Sequence, residues 1–272
     1  MNSKIVARIL ILYAVYIKNT RKIRPQTKSE PMNPDIEPST GLVIRRLPVG
    51  LKLSDFKLIA FDMDSTLINI ECIDEIADAA GRKAEVAAIT EATMRGEIAD
   101  FKTSLRRRVA LLKGVPATHL ESVYAERLQL NPGAETLVAA CKKAGMKVLL
   151  VSGGFTFFAD RVAARLGIDY AKSNQLEVVD GALTGRLVDQ SWGDICDGEE
   201  KRKTLLETCG LLGITPAQCI AMGDGSNDLP MMGACSQAGG LSVAYHAKPK
   251  VREQAMVAIN SGGLDQLLEV FS

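Results

Sequence analysis

The sequence predicts an α/β fold: a Rossmann-like, doubly wound parallel sheet with a helical cap domain inserted near its first strand. Three observations carry this. Short apolar runs alternate with segments of helical periodicity from residue 133 onward, the pattern of a parallel sheet with right-handed crossovers. Residues 70–131, between the first apolar run of the sheet and the next, read as helix after helix with no strand among them. Polar clusters close three of the apolar runs, where an open α/β sheet binds its ligands. A length of 272 residues, 47% hydrophobic and 24% charged, suits one large domain carrying an insertion.

The chain opens on a basic leader. Residues 1–31 hold seven Lys or Arg and one acid, leaving 26 basic and 31 acidic residues in the rest. The mildly acidic body offers no nucleic-acid surface. Ile5 to Ile17 is apolar except for Arg8, too short for a membrane-spanning helix, which needs about 20 residues. Lys18-Asn19-Thr20-Arg21-Lys22 follows where a signal peptide would place small residues and a cleavage site. One reading is a weak membrane-surface anchor. The favoured one is a dispensable extension ahead of a start at Met32, with no stable membrane insertion. Residues 25–41 are rich in Pro, Ser, Thr and Glu, so 1–41 is expected to be a flexible extension.

The core is expected at 42–69 and 132–272, and the cap at 70–131. Leu42-Val43-Ile44 reads as an accessory strand. Lys57 to Phe61 is short and mostly apolar, a buried strand, and Asp62 and Asp64 stand at its end. Cap helices are expected over 70–80 (closed by Gly81), 83–95, 100–112 and 117–129, the last stopped before Asn131-Pro132-Gly133. A helix over 133–144 leads to a strand, Met146 to Val151, followed by Ser152-Gly153-Gly154 and a helix from Phe155 to Leu166. Asp180-Gly181 between apolar pairs marks a hairpin over 176–183. A helix from Glu199 to Leu212 precedes the strand Gln218 to Met222, which ends in Gly223-Asp224-Gly225-Ser226-Asn227-Asp228. Leu241 to Tyr245 and Met256 to Ile259 are the last strands.

The six cysteines are dispersed with no C-x-x-C pair, so reduced, packing thiols in a cytoplasmic protein are expected. The two histidines lie far apart in sequence, which argues against a zinc site or a Ser-His-Asp triad.

Each polar cluster alone has an ordinary explanation: a capped turn at Asp62–Thr66, a tight turn at Gly153-Gly154, a solvated Lys201, an Asx turn at Asp224–Asp228. Together they have complementary chemistry. Carboxylates on different strands suit Mg²⁺, which seeks oxygen and keeps several waters. A Ser hydroxyl and backbone N–H groups opening a helix make an anion site, and a lysine adds a point charge for phosphate. Metal, anion site and lysine describe phosphoryl transfer, in which one carboxylate attacks phosphorus and a second moves protons.

On these motifs the sequence resembles the haloacid dehalogenase superfamily, and within it the phosphoserine phosphatase family. Asp62-Met63-Asp64-Ser65-Thr66 stands for the D-x-D-x-T motif, and Ser152-Gly153-Gly154, Lys201 and Gly223–Asp228 stand for the other three, in order over residues 51–271. The narrower resemblance rests on Ile70-Glu71-Cys72-Ile73-Asp74-Glu75, on Phe101 with Ser104 to Val109, and on Ala247-Lys248-Pro249. It implies Mg²⁺-dependent hydrolysis of L-phosphoserine to L-serine and phosphate through an aspartyl-phosphate, by a monomer or homodimer. It implies Asp62 as nucleophile and metal ligand, Asp64 as acid-base with its carbonyl on the metal, Asp224 as the third ligand and Asp228 in support. Ser152, Gly153, Lys201 and Asn227 would hold phosphate. In the cap, a buried Glu71 would meet the substrate ammonium and Arg108 its carboxylate, beside Phe101. Spacing alone does not choose among Arg106, Arg107 and Arg108; the resemblance points to Arg108. The plainer alternative is that Glu71 caps the first cap helix, where an acid suits the helix dipole. Residues 1–50 are too few and too irregular for the regulatory domain that some family members carry. The resemblance also implies that the first strand lies between those ending at Ser152 and Asp224. Two alternatives stand beside it: a relative acting on another small phosphate ester or an acceptor alcohol, and a non-enzymatic receiver-type phospho-Asp domain.

Overall fold

The computed structural model describes residues 35–45, 47 and 50–271. The expectations for the basic leader, the apolar run 5–17 and a start at Met32 lie outside the described residues.

Two short strands open the described chain, β1 (Ile36–Ser39) and β2 (Leu42–Ile44), and β3 (Leu58–Phe61) follows. Four helices come next: α1 (Cys72–Ala79), α2 (Lys83–Met94), α3 (Phe101–Ala110) and α4 (Thr118–Glu126). The α/β alternation resumes with α5 (Ala134–Lys143), β4 (Lys147–Phe155), α6 (Thr156–Leu166) and β5 (Tyr170–Asn174). A hairpin of β6 (Leu176–Val179) and β7 (Ala182–Leu187) precedes α7 (Gly198–Leu212), β8 (Cys219–Gly223), α8 (Leu229–Ala238), β9 (Leu241–Tyr245), α9 (Pro249–Gln254) and β10 (Val257–Ile259).

Eight strands form one sheet in the order β1-β2-β10-β9-β8-β3-β4-β5. From β10 to β5 every neighbouring pair is parallel, while β1 and β2 add an antiparallel edge. β3 thus lies between β8 and β4, with Phe61 level with Met222 and Leu150. All four β3 residues are buried because both sheet faces are covered. Ile59 and Phe61 point to one face, where α5 and α6 supply Leu137, Val138, Phe158 and Val162. Leu58 and Ala60 point to the other, where α7, α8 and α9 supply Leu205, Met231 and Val251. Three layers result, and every parallel strand ends on the same side of the molecule.

The helical insertion hangs from that side. Asn131 Nδ2 donates to the Thr66 carbonyl (2.8 Å) and the Ile68 carbonyl (3.0 Å), tying the two ends of the insertion together. The β6–β7 hairpin turns at Asp180 (φ 50°) and Gly181 (φ 76°), the paired positive φ values that the Asp-Gly signal predicts. It does not stay with the core. Gly114 N–H donates to the Leu183 carbonyl and Leu183 N–H to the Val115 carbonyl, each at 2.8 Å, so the hairpin is fastened to the insertion.

Two expectations are corrected. Residues 36–39, placed in the flexible leader, form β1. Gly41, at φ 83°, reverses the chain, and an edge strand tolerates the Pro38 that makes the stretch look irregular. Ser152, Gly153 and Gly154, placed beyond a strand, lie inside β4. Its register against β5 shifts between Val151 and Phe155, a local irregularity that two glycines absorb. β5 and α9 carry too many polar residues for a clear periodic signal and have no counterpart in the sequence reading. All six cysteines are unpaired and buried. Among the described residues no helix is long and apolar enough to cross a membrane.

Candidate active site

β3 ends at Phe61 and the backbone turns at once. Asp62 is extended, and Met63–Leu67 make one wide turn with Ser65 at φ 55°, a conformation uncommon for a residue with a side chain. This turn aims Asp62 back across the strand ends. Its Oδ1 accepts the Met63 N–H at 2.7 Å, and its Oδ2 lies 2.8 Å from Lys201 Nζ. Lys201 sits near the N-terminus of α7, which Asp197 caps by accepting the Glu200 N–H. Its ammonium is fully buried and also meets Asp228 Oδ1 at 2.7 Å. Asp228, equally buried, accepts the Gly225 N–H through Oδ2 at 3.0 Å. Position 223 has to be glycine here, since a Cβ would stand 2.3 Å from the Asp228 carboxylate.

Two carboxylates therefore share one ammonium. Burial pulls Lys201 down, but Asp228 and Asp62 outweigh it and hold it well above its ordinary value, so it stays charged. Burial raises Asp62, and Asp228 and Asp224 raise it further against the pull of Lys201. Asp224 is pushed up to about 7 by burial, then by Asp228 and Glu71. Asp64 is pushed up to about 8 by burial, then by Glu71, so its carboxyl favours the protonated form at neutral pH. The site is short of positive charge, which suits a divalent cation. Carboxylate oxygens of Asp62, Asp224 and Asp228 lie within 4.8 Å of one another. Thr66 Oγ1 steadies Asp224 at 3.4 Å. Hard oxygens from two neighbouring strand ends fit Mg²⁺ chemistry.

Ser152 and Gly153 come from the adjacent strand. Ser152 Oγ accepts the Gly154 N–H at 2.8 Å, which leaves the hydroxyl proton free to donate outward. Gly154 lets the chain pass close to Asp64, since a Cβ there would lie 2.7 Å from Asp64 Oδ2. A Cβ on Gly153 would lie 2.8 Å from Phe101 Cζ, so the Phe101 ring of the insertion rests against the Ser152-Gly153 strand. Asn227 is half-buried and turns its side-chain oxygen towards Gly225.

The cap residues differ from expectation in one respect. Glu71 is exposed rather than buried, because it stands where the chain leaves the core for α1. It occupies the N-cap position but makes no side-chain capping bond; its Oε1 accepts the Ser65 hydroxyl at 2.7 Å. Of the three arginines, Arg106 is engaged by Asp194 through contacts of 2.5 and 2.6 Å, and Arg107 is exposed. Arg108 is half-buried and feels the charges of Asp74, Glu71 and Asp64. The geometry thus separates residues that spacing left equivalent.

The haloacid dehalogenase-like hydrolase family model matches residues 59–233. A phosphoserine phosphatase of Polaromonas sp. is 75% identical over 234 residues, covering 86% of this chain and 98% of that one. The chain belongs to the phosphoserine phosphatase family of haloacid dehalogenase-like hydrolases. A second phosphoserine phosphatase, from Albidiferax ferrireducens, is 70% identical over 85% of this chain and 96% of that protein. Among solved structures, a substrate-bound phosphoserine phosphatase complex is 38% identical with a TM-score of 0.71, covering 80% of this chain and 99% of that one. A phospho-aspartyl intermediate analogue of phosphoserine phosphatase matches with the same identity, coverage and TM-score.

In this member of the phosphoserine phosphatase family one organising residue escaped the sequence. Asn174, on the edge strand β5, is buried. Its Nδ2 donates to the Gly153 carbonyl and its Oδ1 accepts the Cys196 N–H, both at 2.8 Å. It joins the Ser152-Gly153 strand to the segment that leads into α7 and Lys201. No local pattern marks such an asparagine, because both its partners are backbone groups remote in sequence.

Proposed function

We propose that the chain hydrolyses L-phosphoserine to L-serine and inorganic phosphate by way of an aspartyl-phosphate on Asp62. The observation that supports it best is the Lys201 bridge: a buried carboxylate at the end of β3, held 2.8 Å from an ammonium that opposes the upward pull of burial, next to a second carboxyl held in its acid form. In the first step an Asp62 oxygen attacks phosphorus, the bond from phosphorus to the serine Oγ breaks, and Asp64 gives its proton to the departing oxygen. In the second step Asp64, now a carboxylate, takes a proton from water, whose oxygen attacks phosphorus and releases Asp62. Ser152, Gly153, Lys201 and Asn227 hold the phosphoryl oxygens throughout. Asp62, the Asp64 carbonyl and Asp224 would hold Mg²⁺, which supplies charge neutralisation for the transferring group. Asp228 keeps Lys201 in place. The receiver-type alternative does not survive the family assignment.

Glu71 reads the substrate ammonium and Arg108 its carboxylate. Recognition of the amino-acid end separates this substrate from other phosphate esters, because the phosphoryl site is generic. Arg108→Ala is expected to lower kcat/KM for L-phosphoserine about 10- to 100-fold, the worth of a charged hydrogen-bonded contact. Glu71→Gln should lower it less, since Glu71 is exposed. Both should leave p-nitrophenyl phosphate nearly unchanged. Equal losses on the two compounds, or no preference of the wild type for L-phosphoserine, would overturn the substrate assignment and spare the phosphatase chemistry.

Excess EDTA is expected to stop turnover, and Mg²⁺ to restore it. Ca²⁺ should inhibit: it accepts more oxygens at longer distance, which lets Asp62 bind through both oxygens and lose its line of attack. Phosphate release measured with each ion decides this, and full activity in EDTA would reject a metal role.

A further inference from the structure

Among the described residues, the helical insertion holds two buried side-chain nitrogen or oxygen atoms without a hydrogen-bond partner, and they are complementary. One is Nε of Arg108, a donor on α3. The other is Oδ1 of Asp74, an acceptor in the first turn of α1. Buried groups of this kind are nearly always satisfied, so each asks for an explanation. They also face one another electrically. Asp74 acts on Arg108 more strongly than Glu71 or Asp64 does, and Arg108 acts on Asp74 more strongly than Lys83 does. Helix geometry explains how Arg108 comes to lie away from Asp194. Arg106 is spent on Asp194 of the core, and a residue two positions further on points to roughly the opposite side of the helix. An acid in the first turn of α1 also suits the helix dipole, but the dipole needs no buried, unmet oxygen.

We propose that Asp74 is a positioning residue for substrate recognition: its Oδ1 accepts the Arg108 Nε–H when substrate binds, and so turns the two terminal nitrogens of the guanidinium towards the substrate carboxylate. A guanidinium held at Nε presents a fork that matches a carboxylate with two parallel bonds. Asp74 itself does not touch substrate. It rotates and anchors the group that does. This rests on the reading of the substrate as L-phosphoserine.

Kinetics of Asp74→Ala, Arg108→Ala and the double variant test it. L-phosphoserine is compared with O-phosphoethanolamine, which keeps phosphate and ammonium but lacks the carboxylate, used as substrate or competitive inhibitor. Asp74→Ala, which removes the acceptor, is expected to raise KM for L-phosphoserine about tenfold with kcat little changed, and to leave the constant for O-phosphoethanolamine unaltered. In the Arg108→Ala background it should add nothing, because the residue acts only through Arg108. Asp74→Asn keeps an acceptor oxygen and should recover most of the lost affinity; if Asp74→Ala fails to fold, Asp74→Leu, which fills the space without an acceptor, carries the same comparison. Equal effects on both compounds, additivity with Arg108→Ala, or no change in KM would overturn the role of Asp74 alone. A wild type that ignores L-phosphoserine, or an Arg108→Ala variant that weakens both compounds alike, would overturn the substrate reading and the proposal with it.

Discussion

Asp62→Asn should fold and bind yet release phosphate at a rate lower by on the order of 10⁴-fold or more. The amide keeps the size of the side chain, and its single oxygen can still accept at one of the two positions, from Met63 N–H at Oδ1 or from Lys201 at Oδ2. What it lacks is the charge that attacks phosphorus. Lys201 retains Asp228 as a partner, so the buried ammonium is not stranded. The expected result is a near-native melting temperature with almost no turnover. Acid quenching of the wild type during turnover should trap a phosphorylated aspartyl peptide containing residue 62, and the variant should yield none. Near-normal turnover in protein shown by mass to be free of deamidation would reject covalent catalysis by Asp62.

Lys201→Met should damage stability as well as activity. Methionine keeps much of the length of the lysine but removes the ammonium that, among the described residues, alone pairs with Asp62 and Asp228. Stranding one partner of a buried ion pair costs about 3–5 kcal/mol, and here two carboxylates are stranded. Asp62 can escape by taking up a proton, which sets the pH dependence. Already raised by burial, it loses the opposing pull of Lys201 in the variant, so the stability present at low pH is lost as pH rises through its folded value. Urea unfolding in EDTA should show a gap between wild type and variant that is wider at pH 8 than at pH 5.5. A variant as stable as wild type at pH 8 would show that the carboxylates are not ionised in the folded protein. The wild-type bridge earns little net stability by itself, since both partners give up hydration; its use is to hold the nucleophile in place and to oppose the burial that favours its protonated form.

The sequence by itself determined the elements whose signal is local. Leu58–Phe61 reads as a strand because it is apolar on both faces, and it becomes the central strand of the site. Asp180-Gly181 reads as a hairpin turn because those two residues accept positive φ. The four polar motifs are legible because each follows or sits on an element with a clear period. Only the tertiary structure decided which side chains face each other. Lys201, flanked by Glu199, Glu200, Arg202 and Lys203, has the neighbours of a solvated helix residue, yet it is fully buried, because α7 aims its first turn at the ends of β3 and β8. Arg106, Arg107 and Arg108 are alike in sequence and are told apart by whether the core, solvent or α1 lies opposite. Thr66 steadies Asp224 across 158 positions, and Asn174 joins two backbone segments that share no pattern. Apolar periodicity records which face of an element is covered; the partner of a buried polar group comes from a distant part of the chain, and only the packed sheet and its insertion bring the two together.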